Sequence, residues 1–152
     1  MNRSFKNICL IVLVAVCFLI FVYVYAFSQD TWARAYGGTD DDHVYSAQQT
    51  SDGGYILAGS TRSFGAGDYD FWILKLDPSG SILWQKTYGS TGSVTEQASS
   101  IQQTSDGGYI VVGSSSLTTG DVWVLRLDSL GDISWWQKFY RGAILYGIYA
   151  IR

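Results

Sequence analysis

The sequence predicts an all-β protein, built as four-stranded antiparallel units and preceded by one N-terminal hydrophobic helix. Two observations carry that expectation. A unit of about 50 residues recurs along the chain, and inside it the apolar residues alternate with the period of strands. Composition agrees: of 152 residues, 47% are hydrophobic, 16% aromatic and only 15% charged, with 17 glycines and one proline. This excludes a disordered tail and a coiled coil. A single glutamate, Glu96, and a glycine every few residues argue against helix beyond the first segment.

The first element is an uninterrupted run of 20 apolar or aromatic residues from Ile8 to Phe27. At about 1.5 Å per residue it spans the roughly 30 Å hydrocarbon core of a bilayer as a helix. Arg3 and Lys6 precede it and the next charge is Asp30, an order that keeps the N-terminus in the cytoplasm and sends the body of the chain outward. Residues 1–28 are therefore expected to be a signal peptide or a membrane anchor. Ala26-Phe27-Ser28 fits a small-x-small cleavage site, while the run exceeds the roughly 7–15 apolar residues of a signal-peptide core. Uncleaved, residues 8–27 would hold the protein to the outer face of the cytoplasmic membrane; cleaved, it is secreted. Both cysteines, Cys9 and Cys17, lie in this run, so the exported part holds neither a disulfide nor a thiolate site. After Ser28 the chain carries eight basic and 13 acidic side chains. That balance argues against nucleic acid as a partner.

The repeat is exact at its centre. Gln48 to Ile56 recurs residue for residue as Gln102 to Ile110, a shift of 54. Trp72-Ile73-Leu74-Lys75-Leu76-Asp77 answers to Trp123-Val124-Leu125-Arg126-Leu127-Asp128 at a shift of 51, and Trp84-Gln85-Lys86 to Trp136-Gln137-Lys138 at a shift of 52. Each unit yields about four strands, in the second over Ser99–Thr104, Tyr109–Ser114, Val122–Asp128 and Ile133–Tyr140. The Ser-Asp-Gly-Gly turns supply the positive φ that primed hairpin turns need, and Asp77-Pro78-Ser79-Gly80 has the residue order of a type I turn. Strands apolar on both faces need cover on both faces, which stacked sheets provide. Residues 29–152 are therefore expected to form a partial β-propeller of four-stranded antiparallel blades, about two complete blades with partial units on either side.

The pattern Asp-Gly-Gly-Tyr-Ile, Gly-x-Gly-x-x-Asp-x-Trp, then Lys-Leu-Asp-x-x-Gly-x-x-x-Trp-x-Lys-x-Tyr-Gly resembles the tandem propeller repeats of secreted and surface proteins of bacteria and archaea. These are similar in outline to the pyrroloquinoline-quinone-type blade. The first unit carries it as Asp52 to Ile56, Gly65 to Trp72, and Lys75-Leu76-Asp77 with Gly80, Trp84, Lys86, Tyr88 and Gly89. The second replaces Lys75 by Arg126 and shortens the Gly65–Asp70 loop to Thr119-Gly120-Asp121. The resemblance implies a binding or surface module and no particular chemistry.

Two units cannot close a ring that takes about four to eight. The pattern thus predicts either a piece of a longer propeller, which the end of the repeat at Tyr149-Ala150-Ile151-Arg152 favours, or self-assembly of several copies.

Candidate sites are few. Thr39-Asp40-Asp41-Asp42-His43 places three carboxylates and the only histidine in one loop, and Asp40, Asp41 and Asp42 could offer oxygens to a hard cation. A solvated acidic loop explains them as well, so no metal or other cofactor is expected. Asp52 and Asp106 are expected to bond their own turns, and Asp70, answered by Asp121, to cap a turn in each unit. Trp72, Trp84, Trp123 and Trp136 recur at repeat spacing and are expected between blades; the unrepeated Phe64, Tyr69, Trp135 and Tyr146 are the candidates for ligand contact. No nucleophile elbow, phosphate loop or His-x-x-x-His occurs. An enzyme is not expected, and the reading is protein or glycan binding at the cell surface. Two alternatives remain open: a quinone- or sugar-dependent propeller enzyme with its catalytic residues in missing blades, and a nonfunctional gene fragment.

Overall fold

The computed structural model describes residues 14–18, 32–115 and 121–139. The chain divides into two compact units, Met1–Trp32 and Ala33–Arg152. In the first, residues 14–18 are helical; the rest of the expected Ile8–Phe27 helix lies outside the described residues. Among the described residues no helix is long and apolar enough to cross a membrane.

The second unit is all-β. Its strands are β1 (Asp42–Gln49), β2 (Tyr55–Thr61), β3 (Gly67–Leu76), β4 (Ile82–Tyr88), β5 (Gly92–Gln103), β6 (Tyr109–Ser115), β7 (Asp121–Leu127) and β8 (Ile133–Phe139). Strands β1 to β4 form one antiparallel meander and β5 to β8 a second. A short parallel pairing of β3 with β5, at Gly67/Gly92 and Tyr69/Thr95, makes one open sheet of the two. Strand β5 starts at Gly92, seven residues before the Ser99 expected from sequence. Its first half alternates inward at Val94, Glu96 and Ala98, all buried, and the polar Glu96 hides that alternation from a hydrophobicity reading.

The turns differ from the expectation in one respect. Gly53 (φ 81°) and Gly107 (φ 84°) do take positive φ, but the N–H of each bonds to the carbonyl three residues back, of Thr50 and Thr104. The left-handed glycine therefore sits at the fourth turn position, not in the centre as a primed turn requires. Asp77–Gly80 is built the same way, with Gly80 at φ 78° and its N–H on the Asp77 carbonyl. One turn design serves the β1–β2 and β3–β4 hairpins of the first meander.

The meanders share a core. Ile56, Ala58, Phe71 and Ile73 of the first cluster with Ala98, Ile101, Tyr109, Val111, Leu125 and Leu127 of the second. Polar joints at the repeat spacing frame it. The Tyr88 hydroxyl donates to the Gly131 carbonyl (2.6 Å), and one repeat earlier the Tyr36 hydroxyl donates to that of Gly80 (2.7 Å). Along the first strands, Ile101 N–H donates to Ser46 Oγ (3.3 Å) and Gln103 N–H to Gln48 Oε1 (2.8 Å). Trp84 meets Tyr109 edge-on at 5.9 Å and Trp123 meets Phe71 at 5.9 Å, so these two tryptophans do cross between meanders. Trp72 packs instead on Phe64 of its own meander, and Trp136 on Trp123.

The last strand is out of step with the sequence repeat. Lys75 pairs with Trp84 and its counterpart Arg126 with Trp135, so Trp135, not Trp136, occupies the position of Trp84. The cause lies with a buried acid. Asp70 is held by its glycine loop through Oδ2, which accepts from Ala66 N–H (2.6 Å) and Gly67 N–H (3.2 Å), while its buried Oδ1 has no hydrogen-bond partner. In the second unit the loop sequence is shorter, and Asp121 takes Lys138 Nζ (2.8 Å) as its partner. The one-residue offset of Trp-Gln-Lys turns Lys138 inward to make that pair, where it also lies 5.6 Å over the Trp123 ring.

Candidate functional site

The repeat separates two kinds of side chain. Those that match between units make turns and joints; those that do not match are free to do something else. Asp42 belongs to the first kind. It stands where Glu96 stands one repeat later, both on the strand pairing before the inward bulge, opposite Thr61 and Ser115. Its carboxylate accepts from the Thr61 hydroxyl, from Ser63 Oγ (2.7 Å) and from Gly38 N–H (2.8 Å). Desolvation pushes its pKa up, but these donors outweigh it and hold the group below the ordinary carboxylate range.

The other two acids of the loop go elsewhere. Asp40 bonds through its backbone, its N–H donating to Ser63 Oγ (3.0 Å). Asp41 Oδ2 lies 3.5 Å from the Tyr69 hydroxyl. Asp40 and Asp42 thus share Ser63 while Asp41 lies against Tyr69, and among the described residues no three His, Cys, Asp or Glu side chains converge as metal ligands.

Three unmatched aromatic side chains, His43, Tyr45 and Tyr69, meet in one cleft of about 230 Å³, lined also by Ser60, Thr95 and Gln97. It opens between the first strands of the two meanders. The His43 ring lies 6.1 Å from both Tyr45 and Tyr69, tilted by 32° and 31°, so the three rings form a shallow wall. Arg62 rests on one of these rings: its guanidinium sits 5.2 Å over Tyr69 and pairs with Asp68 (2.8 Å). Tyr45 is 48% exposed and thus available from solvent. A β-bulge between Val44 and Ser46 brings Tyr45 onto this wall. At the matching positions of the second unit, 54 residues on, His43, Tyr45 and Asp41 are replaced by Gln97, Ser99 and Thr95.

Of the four aromatics expected at a ligand, the structure therefore brings Tyr69 to this cleft and places two others apart. Phe64 is half-buried against Trp72 at 6.0 Å. Trp135 is 49% exposed on β8. Tyr146 lies outside the described residues. Sequence reasoning missed Tyr45 and Arg62, although the failure of both to recur in the second unit was a legible signal.

A second cleft of about 360 Å³ opens between β4 and the outer strands of the second meander, with Tyr88, Trp123, Leu125, Ile133 and Trp136 on its walls. Two of its walls, Tyr88 and Trp123, are joint residues already engaged between the meanders. No protein-family model matches this chain, and no curated protein is similar to it.

Proposed function

We propose that the chain is an exported, propeller-type repeat module of the cell surface whose role is to bind a protein or glycan ligand. One observation carries the binding reading: three aromatic side chains that the repeat does not spend on turns and joints, His43, Tyr45 and Tyr69, line one solvent-open cleft, and Arg62 rests on Tyr69 beside it. The joints support the propeller-type reading, because the Tyr88–Gly131 contact repeats the Tyr36–Gly80 contact at the spacing of the unit. The basic residues ahead of the apolar run support export. The proposal gives the module no catalytic role.

The test is made on the full chain. Protease added to intact cells should cut residues 33–139 and spare the cytoplasm, and the purified chain should retain a member of an array of surface glycans and extracellular proteins. A protected body, or an array with no ligand of either class, would overturn the reading.

A further inference from the structure

The cleft between the first strands of the two meanders has the chemistry of a particular ligand, and we infer that it is a subsite for one neutral saccharide residue. The inference rests on the binding reading above and names its ligand class.

Three features point the same way. The wall of His43, Tyr45 and Tyr69 offers aromatic faces of the kind that pack on the C–H face of a pyranose, as flat apolar bodies with polar rims do. Around it stand hydroxyl, amide, carboxylate and guanidinium groups, from Thr95, Gln97, Asp41 and Arg62. Planar two-oxygen and two-nitrogen groups of this kind suit the adjacent hydroxyls of a sugar. The volume of about 230 Å³ lies below the roughly 300–1,000 Å³ of sites for drug-sized molecules, which limits the ligand to one residue of a chain.

Charge decides between neutral and ionic sugars. Arg62 is already paired with Asp68 and already rests on Tyr69, so it offers no free positive charge to a uronate or sialate carboxylate. Asp41 beside the Tyr69 hydroxyl would repel one. A quaternary ammonium is disfavoured in turn, because an aromatic cage needs rings on several sides, and Arg62 closes off one face of Tyr69 while the rings here form an open wall on the other.

The probes are the methyl glycosides of glucose, galactose and N-acetylglucosamine, with glucuronate and choline as ionic comparators, offered to the full chain and read by saturation-transfer NMR. A neutral glycoside should bind in the millimolar range, with transfer concentrated on its ring C–H protons. Tyr69→Ala should weaken it about tenfold, as loss of one stacking partner does. Tyr45→Ser and His43→Gln install the residues found at the matching positions of the second unit, and should weaken binding while leaving the melting temperature unchanged. Tighter binding of glucuronate or choline, or a neutral sugar indifferent to all three substitutions, would overturn the inference. A protein ligand without any sugar binding would overturn it too, while leaving the surface-module reading intact; an array with no ligand at all removes both.

Discussion

Lys75 is a buried amine, and its environment shows how one side chain sets the value of another. Its ammonium pairs with Asp52 (2.8 Å) and donates to the Leu76 carbonyl (3.0 Å), with only 5% of the side chain exposed. The hydrogen bond from Lys75, aided by the Thr50 hydroxyl and Gly54 N–H, brings the Asp52 pKa down to about 2. A carboxyl depressed in the folded state stabilises above its ordinary pKa and loses that contribution as pH falls. The Asp52 contribution is thus full above about pH 4 and fades toward pH 2. Asp52 itself is 55% exposed, so solvent screens the Coulomb part. The larger consequence is structural: Asp52→Ala strands the Lys75 ammonium, and chemical denaturation at pH 7 should show a loss of about 1–3 kcal/mol. Asp106→Ala should cost less, since Arg126 is more exposed and keeps the carbonyls of Tyr109 and Leu127. Glu96 runs the opposite way. It is fully buried; desolvation raises its pKa, the Asp70 charge adds to that, and the donors of Ser90 and the charge of Lys138 only partly oppose it. A carboxyl raised in the folded state costs stability as pH climbs past its unfolded value. The native chain should therefore weaken from about pH 4.5 upward on this account, and Glu96→Gln should remove that slope and be the more stable of the two at pH 8. Equal pH profiles for the two proteins would disprove it.

At the scale of the elements, the strands and their pairing were legible in the sequence, and the exceptions have physical causes. Apolar patterns and turn residues located β6, β7 and β8 of the second unit to within one residue at each end. The start of β5 was hidden by Glu96, a charged type at an inward position. The register of β8 was misread because identity of Trp-Gln-Lys is a weaker constraint than the demand of buried Asp121 for a cation. Matching turn residues named Asp52 and Asp106 correctly as turn acids, but their partners Lys75 and Arg126 sit on a different strand, and no local pattern pairs them. The cleft was half legible: Tyr69 stood out as unrepeated, whereas the meeting of β1, β3 and β5 side chains at one cleft is set by the fold and by no local pattern. Gly89 gives the sharpest test of element packing. A Cβ there would fall on the Asp70 carboxylate, which is 2% exposed and already tied to Ala66 and Gly67, so neither side can move aside. Gly89→Ala should therefore lower stability by about 1–3 kcal/mol, the range for overpacking a filled site. The same substitution at Gly92, where nothing lies near, should show only the cost of positive φ. Thermal melts of the two variants should separate in that order.

Across the whole molecule the question is whether the meanders are two folding units or one. Each alone is a four-stranded sheet with apolar residues on the face it turns toward the other, and such a sheet is marginal in water. The core is not divided between them: Phe71, fully buried on β3, belongs to the same cluster as Val111, Leu125 and Leu127 and touches Trp123 across the joint. Association of further copies meets a different condition. Strand β8 offers Trp135 and Phe139 where β4 offers Trp84 and Tyr88, and the Gly80 carbonyl of the first meander already accepts from Tyr36. Phe139 has no hydroxyl, so a head-to-tail contact between copies would lack the hydroxyl–carbonyl bond that joins the two meanders. Within the chain the joint is complete, and its coupling can be measured. Phe71→Ala removes a large buried ring from the shared cluster, a change of about 3–5 kcal/mol for a core aromatic and a large part of the roughly 5–15 kcal/mol that holds a domain folded. If the meanders fold as one, hydrogen exchange should accelerate in β6 and β7 as much as in β2 and β3, although the substitution lies on β3. Acceleration confined to the first meander would mean that the two sheets unfold independently and that the joints only align them.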